Sequence, residues 1–312
     1  MNPVLIVGAG PAGMAAALEL NRRGIGFRLV ERHRVGGLAL NAGWIRNYPG
    51  FPGGIEGRRL MGHFEAHLME AGIEVAAGEI RAIERGHGDV GVGFRVKAGL
   101  RVRAEQSDLM EGIVFSAAIL ATGTVPVRAG FEGEPALRAG GRLFYDVVDR
   151  LARRGCGTGD FNRWAVIGGG DVAFDYGISL AERGADVTLL CRSAPRAIGF
   201  LRGRAGELGL SVRAEEEIVS GVLSEDGVRL ALASGEAVRA DAVMVAVGRE
   251  ADRTLFGAGE EIEVRPSGET TRDGLFLAGD VLHPELKQVG VAVGDGIRAA
   301  ARAAEFIWSM KT

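Results

Sequence analysis

VLIVGAGPAGMAAALELNRRGIGFRLVER at Val4–Arg32 aligns without a gap on WAVIGGGDVAFDYGISLAERGADVTLLCR at Trp164–Arg192, at a constant offset of 160 residues. Gly8, Gly10 and Gly13 fall on Gly168, Gly170 and Ala173, and Gly24 falls on Gly184. Each copy reads as a buried strand, a glycine turn, a helix with apolar spacing and a second strand. The glycines have separate jobs: the first makes a tight turn, the second admits a pyrophosphate close to the backbone, and the third lets helix and strand pack closely. The helix N-terminus then faces the phosphates. Two such units in one chain imply two dinucleotides and electron transfer between them.

The copies differ at the end of their second strands. Glu31 closes the first, where a carboxylate can bond ribose hydroxyls, whereas Cys191 occupies that place in the second, followed by Arg192 and Arg196. A missing acid and two guanidiniums suit a 2′-phosphate, because arginine offers it a planar fork of donors. The first site therefore reads as FAD or NAD and the second as NADPH. The competing reading makes Arg192 and Arg196 ordinary solvated loop residues. Composition narrows the rest. In 312 residues, 37 basic and 40 acidic side chains give a net charge of −3. The charges are spread along the chain, which disfavours a nucleic-acid stripe or a polybasic membrane anchor. No apolar run approaches the ~20 residues of a membrane helix. Met1 leads through a short apolar run directly into glycines, with no positive n-region and no cleavage site, so no secretory signal is expected. Two cysteines exclude a disulfide scaffold or a Cys-ligated metal site, and a reducing cytoplasm is the expected setting. His63 and His67 lie four apart on an expected helix over 57–71, but no third ligand is evident and no metal is expected.

Several further segments resemble the thioredoxin reductase-like branch of the two-dinucleotide flavoproteins. These are GAGPAG at Gly8–Gly13, GG at Gly36–Gly37, NYPGFPGGIEG at Asn47–Gly57, ILATG at Ile119–Gly123 and VAVGR at Val245–Arg249. LFLAGDV at Leu275–Val281 and KQVGVAVGDG at Lys287–Gly296 complete the set, in the family's order and over most of the chain. The resemblance implies an α/β fold of two Rossmann-like three-layer domains, the second inserted in the first. The FAD domain would span 1–125 and 252–312, the NADPH domain 126–251, and the protein would be a homodimer. Gly8, Gly10, Pro11, Ala12 and Gly13 would cradle the FAD pyrophosphate, with Glu31 on the adenosine ribose and Arg32 beside it. Gly37, Leu38 and Asn47 would lie near the flavin, though Leu38 stands where the family usually has a hydrogen-bonding Gln. Ile80, Ala121, Thr122 and Gly123 would also belong to the FAD site. Gly279 and Asp280 would meet the ribitol, and the backbone of Lys287, Gln288 and Val289 would open a helix toward the flavin O2 edge. A helix N-terminus there favours an anionic reduced flavin. On the second domain, Gly168, Gly170, Asp171, Val172 and Ala173, with Arg192, Arg196, Val247 and Gly248, would hold NADPH. Hinges for rotation of the inserted domain would lie near Thr122–Gly123 and Val247–Gly248.

The family's redox C-x-x-C is missing: aligning FYDVVDR puts Asp146 and Asp149 at the cysteine positions. Disulfide exchange needs a thiolate nucleophile and a resolving thiol, and carboxylates supply neither. Cys156 has no partner at that spacing, and Cys191 is 35 residues away. The expectation is an NADPH-dependent FAD oxidoreductase that passes electrons to an external acceptor, either a ferredoxin- or flavodoxin-like protein or a small molecule. The cysteine-free ferredoxin–NADP reductases of the superfamily are a partial precedent. The alternatives are a disulfide reductase using Cys156 and a non-catalytic flavin-binding sensor or subunit. Asp146 and Asp149 read either as acid–base groups or as N-caps of a helix over 147–154. Tyr145 and Trp44 read as stacking on the ring system or as packing. His283 reads as a proton donor or as a surface loop residue.

Overall fold

In the computed structural model, residues 4–88, 91–99, 114–147, 161–256 and 262–310 are described. They separate into two compact units. The first comprises 1–40, 45–125 and 250–312, and the second 41–44 and 126–249.

In the first unit, β1 (Val4–Val7) is buried on every residue, as a strand at the centre of a parallel sheet must be. Around it the strand order is β18 (Leu275–Leu277), β7 (Ala117–Leu120), β1, β2 (Phe27–Glu31) and β3 (Val75–Ala77), all parallel. Helix α1 (Pro11–Arg22) makes the crossover from β1 to β2, with Pro11 in the first turn, where its missing N–H costs nothing. Its buried Ala12, Ala15, Ala16 and Ala17 let α6 (Val289–Ser309) lie along it, presenting buried Ala299, Ala300, Ala303 and Ala304. The sheet's other face buries Leu5, Val7, Val30, Phe115, Leu120 and Leu277 in one core. Helix α2 (Gly57–Glu70) and the antiparallel strands β4 (Glu79–Gly88), β5 (Gly91–Gly99) and β6 (Val114–Phe115) complete the unit.

The second unit repeats the plan. Its parallel sheet runs β12 (Ser211–Ala214), β11 (Asp186–Cys191), β10 (Arg163–Ile167), β16 (Ala242–Val245) and β9 (Leu143–Phe144). Helix α4 (Asp171–Ala181) makes the β10-to-β11 crossover, and α5 (Gly199–Glu207) precedes β12. A shorter helix, α3 (Glu134–Ala139), precedes β9, and β13 (Ile218–Ser224), β14 (Gly227–Leu232) and β15 (Ala237–Ala240) form an antiparallel sheet. The two parallel sheets differ in one place. The strand beside β7 is the last strand of the chain, β18, whereas the strand beside β16 is β9, which precedes its own glycine turn. At the crossings between units the chain runs through β8 (Thr124–Pro126) and β17 (Arg249–Ala251). Among the described residues, no helix is long and apolar enough to cross a membrane.

Candidate functional site

The sequence repeat persists as a repeat of hydrogen bonds. Gly8 N–H donates to Val30 O at 2.8 Å, and Gly168 N–H donates to Leu190 O at 3.0 Å. Ala121 N–H reaches Val7 O, and Ala246 N–H reaches Ile167 O, each at 2.8 Å. Gly36 N–H donates to Ala9 O at 2.8 Å, and Arg196 N–H donates to Gly169 O at 2.7 Å. In every pair the residues of the glycine turn and of the loop beyond the second strand keep the offset of 160. Both sites thus stand on one backbone frame, and their chemistry differs only through side chains.

The glycines are enforced by contact. Gly8 has φ +101°, and a Cβ there would lie 2.3 Å from Ala121 O; Gly168 has φ +142°, with Ala246 O at 2.4 Å. A Cβ on Gly13 would meet Gly8 O at 1.8 Å, which locks the start of α1 onto the turn. Gly10 and Gly170 cap their helices without a side-chain oxygen. The first-turn N–H groups are therefore left to an anion from outside the chain. Both cradles fit a dinucleotide pyrophosphate.

Side chains then divide the two sites. Glu31 accepts from Ala9 N–H and from His33 N–H, each at 2.8 Å, so its carboxylate is fixed at the rim of the first turn. Cys191 instead is buried, and its thiol donates to Gly168 O at 3.3 Å. Burial pushes that thiol's pKa up, the opposite of what a reactive thiolate needs. Arg32 and Arg192 hold equivalent places. Arg32 donates to Asp252 Oδ2 at 2.9 Å, and the Asp252 side chain is buried. Arg32 is therefore held by a carboxylate of its own unit, a partner that nothing in the sequence signalled. Arg192 and Arg196 are exposed, and among the described residues neither guanidinium is bonded or ion-paired.

The third element of the first site is the turn at Gly279–Asp280. Gly279 has φ +78°, and a Cβ there would lie 2.8 Å from Ala12 Cβ. A Cβ on Gly296 of α6 would meet Ala12 O at 2.1 Å. Beside it, buried Asp295 accepts from Gly279 N–H at 3.3 Å and from Arg298 at 2.8 Å. His283 Nε2 lies 3.8 Å from the same carboxylate, and its Nδ1 lies 3.5 Å from Glu285. The C-terminal segment is thus wedged against the first turn of α1. Gln288 caps α6 without a side-chain bond, and Lys287 Nζ donates to Pro284 O at 2.6 Å. Thr122 Oγ1 donates to Asp252 O at 2.8 Å, and Asp252 N–H donates to Gly123 O at 2.9 Å. Leu38 lies in a 3-10 turn, Asn47 is exposed and Ile80 is buried.

The other chemical candidates resolve differently. Tyr145 is buried, and its hydroxyl donates to Glu134 Oε1 at 2.5 Å. The Arg138 guanidinium lies over its ring, 4.7 Å from the centroid. Burial, reinforced by the Glu134 bond, pushes the phenol up to about 12. Both the ring and the hydroxyl of Tyr145 are thus engaged within the second unit. Asp146 accepts from Arg249 Nη1 at 2.8 Å, and both side chains are mostly buried. Asp149, Cys156, the glycine-rich loop over 155–160 and the helix expected over 147–154, beyond its first residue, lie outside the described residues.

One chain that twice builds a strand, a glycine turn and an uncapped helix for a dinucleotide is a flavoprotein oxidoreductase of the two-dinucleotide class. The sequence model of the pyridine nucleotide-disulphide oxidoreductase family matches residues 2–296, and the chain belongs to that family. It is similar to thioredoxin reductase of Bacillus subtilis (strain 168), with 29% identity over 318 residues covering 97% of this chain and 94% of that one. Thioredoxin reductase of Listeria innocua is 30% identical over 324 residues, covering 99% and 94%. The crystal structure of Lactococcus lactis thioredoxin reductase superposes with a TM-score of 0.83 at 26% identity, covering 99% of this chain and all of that one. The protein is a thioredoxin reductase-like oxidoreductase whose family uses FAD and NADPH.

Proposed function

We propose that this protein takes electrons from NADPH onto FAD and delivers them to an external acceptor without a dithiol of its own. FAD supplies the chemistry of accepting a hydride and releasing electrons in pairs or singly. FAD would sit on the first unit, in a domain of 1–125 and 252–312. Gly8–Gly13 would lie at its pyrophosphate, Glu31 at the ribose, and Asp280 with the Lys287–Val289 backbone at the flavin end. NADPH would sit on a domain of 126–251, its 2′-phosphate on Arg192 and Arg196. The contrast between Arg32, paired to Asp252, and Arg192, unpaired among the described residues, carries this assignment.

The cysteines support the absence of a relay. The chain has two, at Cys156 and Cys191, and the second is buried against the glycine turn. Asp146, which stands where the family's first redox cysteine would be, carries a charge neutralised by Arg249. The names of the relatives favour a second reading, reduction of thioredoxin; in this chain, such a reading would call on Cys156. A homodimer is proposed on the same family grounds.

The test is anaerobic rapid mixing of the flavin-loaded protein with NADPH and, separately, NADH, following flavin absorbance near ~450 nm. Fast bleaching by NADPH and slow bleaching by NADH is the expected result. No bleaching by either would reject electron transfer and leave a flavin-binding module.

A further inference from the structure

Resting on the assignment of NADPH to the second unit, we propose that Asp171 is a positioning residue for coenzyme choice. It would hold the arginine loop over the second glycine turn without touching the 2′-phosphate. Three consecutive backbone N–H groups tether that loop. Those of Arg196 and Ala197 donate to Gly169 O at 2.7 and 3.1 Å, and that of Ile198 donates to Asp171 Oδ1 at 2.9 Å. The first bond comes with the shared frame, since Gly36 makes the same bond to Ala9 O in the first copy, whereas Gly37, the counterpart of Ala197, donates to Arg34 O at 3.4 Å. The third does not come with that frame either. The residue equivalent to Asp171 is Pro11, which has no side-chain acceptor, and in the first copy the carboxylate at the turn is Glu31, on the strand.

The second copy has therefore moved its acid from the strand end to the first residue of the helix. That move empties the ribose corner of negative charge, since buried Cys191 now fills it. It also supplies an anchor on the far side of Arg196. Arg196 stands where the first copy has Gly36, so the side chain needed for a 2′-phosphate grows from a backbone position already fixed against the glycine turn. A long arginine on an untethered loop would spend more conformational entropy on reaching a phosphate than one whose Cα is held. Asp171 is itself exposed and in the first turn of α4, so its other conceivable role is to complement the helix dipole. A dipole role would act on every ligand phosphate alike, whereas a positioning role acts on the 2′-phosphate alone.

Titration calorimetry with adenosine 2′,5′-bisphosphate and with AMP, which lacks only the 2′-phosphate, separates these roles without catalysis. The flavin-loaded wild type is compared with Asp171→Ala and Asp171→Asn, each checked for an unchanged thermal midpoint. The expected result is that Asp171→Ala weakens the bisphosphate about tenfold more than it changes AMP, a difference of about 1.4 kcal/mol. Asp171→Asn, which keeps an oxygen for the Ile198 N–H, retains most of the preference. An equal change for both ligands in the variants, or no change for either, overturns the positioning role while leaving the NADPH assignment standing. A wild type that does not prefer the bisphosphate overturns the NADPH assignment, and this inference with it.

Discussion

Single residues in this chain act through what their atoms exclude. A Cβ at Gly13 would sit 1.8 Å from a backbone carbonyl, so no other residue fits without moving α1 off its turn. Tyr145 shows the polar counterpart. Its hydroxyl is the side-chain donor to Glu134, whose carboxylate also accepts from Ala129 N–H and Gly130 N–H at 2.9 and 2.7 Å. Tyr145→Phe removes that donor from a buried carboxylate and is expected to cost about 1–3 kcal/mol in urea unfolding at neutral pH. The pH dependence has a definite sign. An unfolded phenol titrates near ~10, whereas in the fold it is pushed up to about 12. The contribution is therefore complete below ~10 and lost as pH rises through about 12. Wild type should lose more stability across that window than Tyr145→Phe, and equal losses would show that the phenol titrates freely.

Between elements, the decisive contact is that of α6 on α1. Alanine-rich faces bring the two helices close, and Gly279, Ala292 and Gly296 close around the Ala12 turn. The segment that returns last in sequence thus fixes the start of the first helix, the place where the pyrophosphate would lie. Gly296→Ala puts a methyl 2.1 Å from Ala12 O and must displace one helix from the other. The expected outcome is protein purified with little bound flavin and a stability loss of about 1–3 kcal/mol, typical of overpacking. Flavin content by absorbance after purification, and the urea midpoint, measure the two effects. Full flavin occupancy in this variant would show that the helices separate without consequence for the cradle.

The whole molecule carries two glycine-turn cradles of one frame and no pair of cysteines at redox spacing. This makes a prediction that the relatives' names do not. On the proposed route, electrons pass from flavin to acceptor without a thiol, so a Cys156→Ser, Cys191→Ser double variant should reduce ferricyanide with NADPH as fast as the wild type. Loss of turnover on ferricyanide with normal flavin content would place a thiol on that route. Loss confined to disulfide substrates would support the thioredoxin reductase-like reading through Cys156.

The amino-acid sequence alone determined the two-site plan. Glycine positions, strand hydrophobicity and a repeat at fixed offset are local signals, although of the close contacts only that of Gly13 with Gly8 O arises within the turn, those of Gly8 and Gly168 coming from Ala121 O and Ala246 O far along the chain. The Glu31-to-Cys191 exchange and the arginines after it are legible for the same reason, since they sit at a fixed distance from the turn. What only the tertiary structure decided is which charges are already spent. Asp252 on Arg32 and Arg249 on Asp146 come from segments 220 and 103 residues away. No periodicity announces such a pairing. The enclosure of Tyr145 by Glu134 and Arg138, and the wedge of Gly296 against Ala12, belong to the same class. Spacing along the chain places a residue on an element. Packing between elements decides whether its hydrogen-bonding capacity remains for a ligand or is consumed within the fold.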